Sequence, residues 1–305
     1  MRAPAPGELS PGELVLPDPG NACLVAPAPG TGLGAWAGSP SAIRVGGDIY
    51  LAYRLRTADR RGYAVRVAKS ADGVSFQPLV SIGKEAMDAE SLERPALILT
   101  RDGTWRLYLS CATPGTKHWR VELIEADAPD AFDPAGRRVL LPGDGARAVK
   151  DPVVRYHDGA WHLWASVHPL TEPDHTDRMA TEYASSPDGI DWTWRGTALG
   201  PRPGEWDARG VRVTAVRFTP AGVAAYYDGR ATAEQNCEER TGIAMGSSPA
   251  SLVAQGDAPV AESPTAGLGL RYMTVVRLGE GRERLYYELT NASGSHDLVT
   301  ELRAS

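Results

Sequence analysis

Residues 70–76 read SADGVSF, and 116 residues later residues 186–192 read SPDGIDW. An Asp-Gly pair inside such a stretch signals a hairpin, because glycine accepts φ > 0 at little cost. A hairpin made twice implies a repeated unit, and the rest of the chain supplies its period. Five glycine turns, each running into an aromatic or aliphatic strand, read VGGDIYLAYR, RDGTWRLYLS, HDGAWHLWAS, PAGVAAYYDG and GEGRERLYYE. Their glycines, Gly46, Gly103, Gly159, Gly222 and Gly281, are spaced by 57, 56, 63 and 59 residues. A short β-branched run precedes each turn (SAIRV, ALILT, PVVRY, VTAVRF, MTVVRL), and a third strand follows each hairpin (AVRVAKS, VELIEAD, TEYASS, GIAMGSS, DLVTELR). The two Asp-Gly turns therefore link third to fourth strands in units one and three, with ADAPDAF and SSPASLV as their divergent copies.

Five four-stranded units of this size define an all-β chain and predict a five-bladed β-propeller. The chain ends before a fifth copy of the last turn, so closing the ring calls for a strand from elsewhere; NACLVAPA, residues 21–28, is the natural donor. A large β-sandwich also has short strands and regular turns, and the five-fold register is what separates the two. Residues 1–20, with Pro4, Pro6, Pro11, Pro17 and Pro19, read as an extended or disordered lead-in to one propeller domain over 21–305.

Composition narrows the partners. Lys and Arg total 32 against 38 Asp and Glu, a net charge of −6 without a basic tract, so no nucleic-acid partner is expected. Cys23, Cys111 and Cys237 are too few and too scattered for a disulfide framework or a Cys-rich zinc site. The N-terminus lacks an apolar h-region, and no apolar run approaches the ~18 residues of a membrane span, so a soluble cytoplasmic protein is expected, with no membrane partner and no cofactor.

In a propeller blade the first strand begins at the mouth of the central channel, and here the connections at that end are the long polar ones. Trp36, Glu93, Arg94, Lys150, Asp151, Arg209, Arg212, Arg271 and Tyr272 open first strands; Arg54, Cys111, His168, Asp228, Arg230 and Glu288 end second strands. Charges there are costly in a core, so they face a wet channel or one another. Arg54, Arg94, Lys150, Arg209, Arg212 and Arg271 suit a phosphate or a substrate carboxylate, and equally suit salt bridges between blades. The loop carrying His168, Asp174, His175 and Asp177 offers metal-ligating types at a spacing that fits no metal motif, so a solvated loop is expected. Trp36, Trp119 and Trp206 near the mouth are candidate sugar platforms, whereas Trp161 and Trp164 follow the strand pattern of a core. Nothing orients Cys111 and His118 as a nucleophile pair.

The residues resemble those of the five-bladed propeller glycoside hydrolases and the related β-mannoside phosphorylases. SPSAIRVGGDIYLAYR followed by VAKSADGVSF is similar to the phosphorylase pattern of a strand ending in Tyr-Arg and then Ala-x-Ser-x-Asp-Gly-x-x-Phe. ERPALI resembles its Glu-Asp-Pro-Arg segment, with Arg94 in place of the Asp, and KDPVVRYHDGAWHLW its Lys-Asp strand; the same KDP stretch resembles the Asp-Pro strand of arabinanases and xylosidases, where the Asp tunes the catalytic acid. The resemblance implies an enzyme that cleaves a glycoside by inverting hydrolysis or phosphorolysis in the central pocket. It makes Asp151 the leading catalytic residue, with Glu93 as partner and Asp207, Asp228 or Glu288 as acid. Arg54, Arg94, Lys150, Arg209, Arg212, Arg271, His168, Arg230 and Trp36 would bind substrate or anion. The chain departs from the hydrolase pattern where a general-base Asp would precede Pro40, since Ser39 stands there, and where an acid Glu would open the fourth unit, which reads WDARGVRVTAV. An inverting hydrolase needs two carboxyls ~6.5–9.5 Å apart. The other reading is therefore a diverged propeller that binds a carbohydrate or acts on a different small polar metabolite.

Overall fold

A computed structural model describes residues 14–304. Its first strand, β1 (Cys23–Ala26), precedes five groups of strands. Blade one holds β2 (Trp36–Val45), β3 (Asp48–Arg56), β4 (Ala64–Ser70) and β5 (Gln77–Gly83). Blade two holds β6 (Leu92–Leu99), β7 (Trp105–Ala112), β8 (Trp119–Ala126) and β9 (Arg138–Leu141). Blade three holds β10 (Arg147–His157), β11 (Ala160–Pro169), β12 (Ala180–Ser186) and β13 (Thr193–Leu199). Blade four holds β14 (Gly210–Thr219), β15 (Gly222–Arg230), β16 (Arg240–Ser248) and β17 (Ser251–Gln255), and blade five β18 (Leu270–Gly279), β19 (Arg282–Thr290) and β20 (His296–Ala304). Strand β1 pairs antiparallel with β20 and completes blade five, so the first segment of the propeller closes its last blade, as residues 21–28 lead one to expect.

Every blade is an antiparallel meander, and the first strands contact their neighbours in cyclic order, β2, β6, β10, β14, β18 and back to β2. The five apolar clusters lie one at each seam between blades. In the first of them Val65, Val67 and Ile82 of blade one meet Leu97, Leu107 and Leu109 of blade two. This placement follows from strand alternation: a blade buried on both faces offers apolar residues to both neighbours.

The turns that reveal the repeat also lock it. Ser70 Oγ donates to Asp72 Oδ1 at 2.8 Å, and the same Oδ1 accepts from the amides of Val74 and Ser75. Ser186 and Asp188 build the same arrangement with the amides of Ile190 and Asp191. Gly73 and Gly189 sit at φ 76° and 78°, where a side chain is strained. An aromatic residue of the preceding blade then reaches each connection: Tyr286 donates to Gly73 O at 2.9 Å, Tyr108 to Gly189 O at 2.8 Å, and Trp164 Nε1 to Pro249 O at 2.9 Å. Tyr286→Phe removes the donor at the seam between the last and first blades and leaves a carbonyl unpaired. A loss of about 1–3 kcal/mol is expected in urea unfolding; an unchanged midpoint would show that this bond does not hold the seam.

The lead-in differs from expectation over its last residues. Leu14 and Val15 are buried, and Tyr226 of blade four donates to Val15 O at 2.6 Å. An apolar pair amid the prolines is enough to fasten this segment to the ring, and residues 1–13 lie outside the described part. Among the described residues no helix is long and apolar enough to cross a membrane.

Candidate functional site

Each first strand is interrupted where it passes the channel. Register shifts fall between Gly38 and Ser41, Leu92 and Pro95, Lys150 and Val153, Val213 and Ala215, and Arg271 and Thr274. Such bulges insert residues that break the alternation and re-aim side chains. Ser39, Asp151 and Tyr272 lie at these points with φ of 52°, 56° and 57°. The five-fold bulge is thus how a strand built for a core turns Glu93, Arg94, Asp151 and Tyr272 towards the axis.

These groups and their partners on the second strands form one continuous ionic network. Arg54 joins Glu93 to Glu288, with Nη2 at 2.6 Å from Glu288 Oε2. Arg271 joins Glu288, at 2.6 Å, to Glu239, at 2.7 Å. Glu239 also accepts from Arg230 at 2.7 Å. Arg212 holds Asp228 through Nε and Nη2, at 3.0 and 2.7 Å, and reaches Asp151 Oδ2 at 3.2 Å. Arg54, Asp151, Asp228 and Glu288 are fully buried. Arg94 crosses the channel from blade two and donates to Thr214 O in blade four and Met273 O in blade five. The Tyr272 hydroxyl spans from blade five to Asp151 Oδ2, at 3.4 Å.

Burial opposes charge throughout the network, and the arginines decide the outcome. Against that burial, Arg271 and Arg54 hold Glu288 far below the usual carboxylate range, and Arg271, Arg212 and Arg230 do the same for Glu239. Asp151 is likewise lowered, by Lys150 and Arg212 against burial. Asp228 goes the other way, up to about 6, because burial and then the Glu239 charge outweigh Arg212. Groups with lowered folded values stabilise above about pH 4 and lose that contribution as pH falls through those values; Asp228 takes its proton more readily when folded, so stability rises as pH drops through 6 towards 4. His168, kept neutral by its burial, works against this over the same range, because there the unfolded chain takes the proton first. The Asp228 contribution is therefore read by difference: from pH 7 to pH 5 the melting temperature of Asp228→Asn should fall relative to that of the parent protein. A pH 7-to-5 change that is the same in the parent protein and in Asp228→Asn would contradict the raised Asp228.

Above this layer lies a cavity of about 390 Å³ at the mouth of the ring. Tyr272 lines it, and its wall also includes Glu93, Glu239, Lys150, His168, Trp36 and Trp119. Four cations on this wall are loosely held: Arg56 is 3.9 Å from Glu93 Oε1, Arg61 3.8 Å from Glu90, Lys150 3.7 Å from Asp151, and Lys117 bonds the Thr176 hydroxyl at 3.2 Å. Burial pulls Arg56 down more than Glu93 restores it. His168 is held neutral, lowered to about 3 by burial and by Lys150. Its Nδ1 faces Thr176 O at 3.2 Å and so carries the proton, which leaves Nε2 a buried acceptor without a partner. Asp151 Oδ1 and Arg94 Nε and Nη1 are also buried without partners.

The structure brings most of the sequence candidates together and separates a few. Arg54, Glu93, Lys150, His168, Arg212, Arg271 and Trp36 line the cavity. Asp151, Asp228, Glu288, Arg94 and Arg230 belong to the ionic layer. Asp207 stands apart, held by Arg202 at 3.0 Å and by the Tyr227 hydroxyl at 2.8 Å, and Trp206 stacks on that tyrosine. The loop before β14 folds back against its own blade, which takes both residues off the cavity wall. Arg209 pairs with Asp177 at 2.6 Å outside the cavity lining. Trp36 is covered by His296, at 5.1 Å between rings, and by Arg56 and Arg271, so it is no open platform; Trp119 carries Lys150 over its ring at 4.9 Å. Cys111 is buried, and that burial raises its thiol, which disposes of a nucleophile there. Among the described residues no group of three or more His, Cys, Asp or Glu is placed to hold a metal ion. Arg56, Lys117 and Glu239 fall within the mouth-face segments RLRTADRRG, CATPGTKHW and the charged loop 228–240, where sequence points to the mouth without singling out a residue.

No family model matches the chain, and no curated protein matches it in sequence. Solved structures do match in shape. A thermostable family-43 glycoside hydrolase aligns with a TM-score of 0.69 at 14% identity, covering 91% of this chain and 92% of its own. A family-43 enzyme from Xanthomonas citri, complexed with xylose, gives 0.66 at 17% identity, covering 92% and 90%. β-1,2-Mannobiose phosphorylase from Listeria innocua, complexed with β-1,2-mannobiose, gives 0.63 at 16% identity, covering 88% and 89%. The chain thus has the β-propeller fold of glycoside hydrolases and mannoside phosphorylases. At these identities the match defines a glycosidase-like fold and leaves the reaction to the chemistry of the site.

Proposed function

We propose that the mouth cavity binds a glycoside together with phosphate and cleaves it by phosphorolysis. One observation carries this reading: loosely paired cations line the cavity, while each carboxylate brought to the channel is in contact with a guanidinium. Inverting hydrolysis needs a free carboxylate to activate water, and the position where the related hydrolases carry one is Ser39 here. Phosphate brings its own nucleophilic oxygen and needs only cations to hold it, a task suited to Arg56 and Lys150. Its oxygen attacks the anomeric carbon, the glycosidic bond breaks, and the leaving oxygen takes a proton. Glu93 is the proposed donor: it reaches the cavity wall, and it delivers a proton after taking one up from solvent at Oε1, the oxygen that Arg54 does not hold and that lies 3.9 Å from Arg56. The His168 Nε2 acceptor suits a sugar hydroxyl, and Asp151 positions Lys150 and Arg212. The sugars named with the structural neighbours, mannobiose and xylose, set the first substrates to try.

The guanidinium contacts favour a second reading, a propeller that binds a carbohydrate without cleaving it. A screen of β-mannosides, xylosides and their aryl derivatives, with and without phosphate and with Asp151→Asn alongside, separates the two. Phosphate-dependent turnover lost in that variant supports phosphorolysis. Turnover independent of phosphate would overturn it in favour of a relocated base, and saturable sugar binding without turnover would leave the binding protein.

A further inference from the structure

The opposite end of the ring holds a larger cavity, of about 1000 Å³, that the proposed reaction does not use. The ends of the first strands and the turn at Pro187 and Asp188 form its wall, and it shares no lining residue with the mouth cavity. Arg44, Arg101, Arg106, Arg155 and Arg277 line it, against Asp102 and Asp188. Those two acids are already engaged, Asp102 by the Thr100 hydroxyl and Asp188 by its own turn. Arg106 is paired with Glu125, and Arg277 lies 3.4 Å from Glu283. Among the described residues the other three have no carboxylate partner. Arg44 Nη1 donates to Leu278 O at 2.7 Å, the Arg101 guanidinium lies 4.4 Å over the Tyr156 ring, and Arg155 Nη1 donates to the neighbouring Val154 O at 2.9 Å. Arg155 is partly buried, and that burial lowers it without an acid nearby to restore it. Beside these cations the wall is apolar and aromatic, with Ile43, Leu99, Tyr156, Trp161 and Val275.

From this pairing of under-compensated arginines with an apolar wall, we infer that the lower cavity is a second ligand site, for a phosphomonoester with an apolar or aromatic body. A dianion answers more than one guanidinium, and the planar forks of Arg44, Arg101 and Arg155 suit its oxygens better than a single carboxylate would. The body of the ligand would lie against Ile43, Leu99 and Val275. This site is independent of the proposed phosphorolysis, because separate residues serve each.

Titration calorimetry with phenylphosphonate, inorganic phosphate and benzoate tests the assignment. Phenylphosphonate should bind the parent protein more tightly than either other probe. Arg155→Met should weaken it by about 10- to 100-fold, as expected for losing a charged hydrogen-bond donor. Arg155→Lys should recover part of that loss, and Arg56→Met, in the mouth, should leave this binding intact. Arg101→Ser, on an exposed turn, provides a second loss should Arg155→Met fail to fold. Phenylphosphonate binding unchanged in both Arg155→Met and Arg101→Ser, or abolished by Arg56→Met alone, would overturn the second site. Equal affinity for benzoate would overturn the phosphomonoester.

Discussion

Arg271→Met is expected to cost about 3–5 kcal/mol of stability, the range found when one partner of a buried ion pair is removed. The residue holds Glu288 and Glu239 at 2.6 and 2.7 Å and lies over Trp36, so it ties blade five to blades four and one. Without it, Glu239 keeps Arg230 and Glu288 keeps Arg54, but each loses its strongest compensating charge in a fully buried setting. Adding Glu239→Gln should return part of the loss, because the uncompensated charge then disappears. The double variant should therefore lose less than the sum of the two single losses, a coupling that a double-mutant cycle measures directly. A loss below about 0.5 kcal/mol for Arg271→Met would mean that the network is solvated and contributes little.

Glu93→Gln carries the largest expected effect on activity. Loss of a positioned proton donor costs roughly 10²- to 10⁴-fold in rate. Glutamine keeps a carbonyl oxygen for Arg54, which retains Glu288 as well, so the melting temperature should move by only a few degrees. Substrates with good leaving groups need little protonation and should be much less affected, which distinguishes a lost acid from a distorted cavity. An equal loss on all leaving groups would assign Glu93 to structure.

The period of about 58 residues made the blades legible because hairpin chemistry is local: glycine turns, β-branched runs and the Ser-x-Asp-Gly stretch all act within a few residues. The closing strand was legible for a topological reason, since a ring whose last blade lacks a strand must take one from the other end. The site was only half legible. Residues flanking each channel crossing, such as Lys150 and Asp151, were named together because the bulge that decides which of them faces the axis leaves no mark in the sequence. Asp207 and Arg209 looked equivalent to them by position, yet the loop before β14 turns them to Arg202, Tyr227 and Asp177 instead. The charged loop 228–240 reads as solvated charge or as a lining of the mouth, but nothing local marks Glu239 within it as the residue that three arginines surround. Pairing across the channel joins residues far apart in the chain, as when Arg94 reaches Met273, and no local pattern encodes such a contact.

The most direct measurement is a phosphorus NMR spectrum of the protein incubated with a β-mannoside or xyloside in phosphate buffer. Growth of a sugar 1-phosphate signal, matched by release of the leaving alcohol and absent from Glu93→Gln, is the expected result. Release of free reducing sugar at the same rate without phosphate, with no sugar phosphate formed, would contradict it.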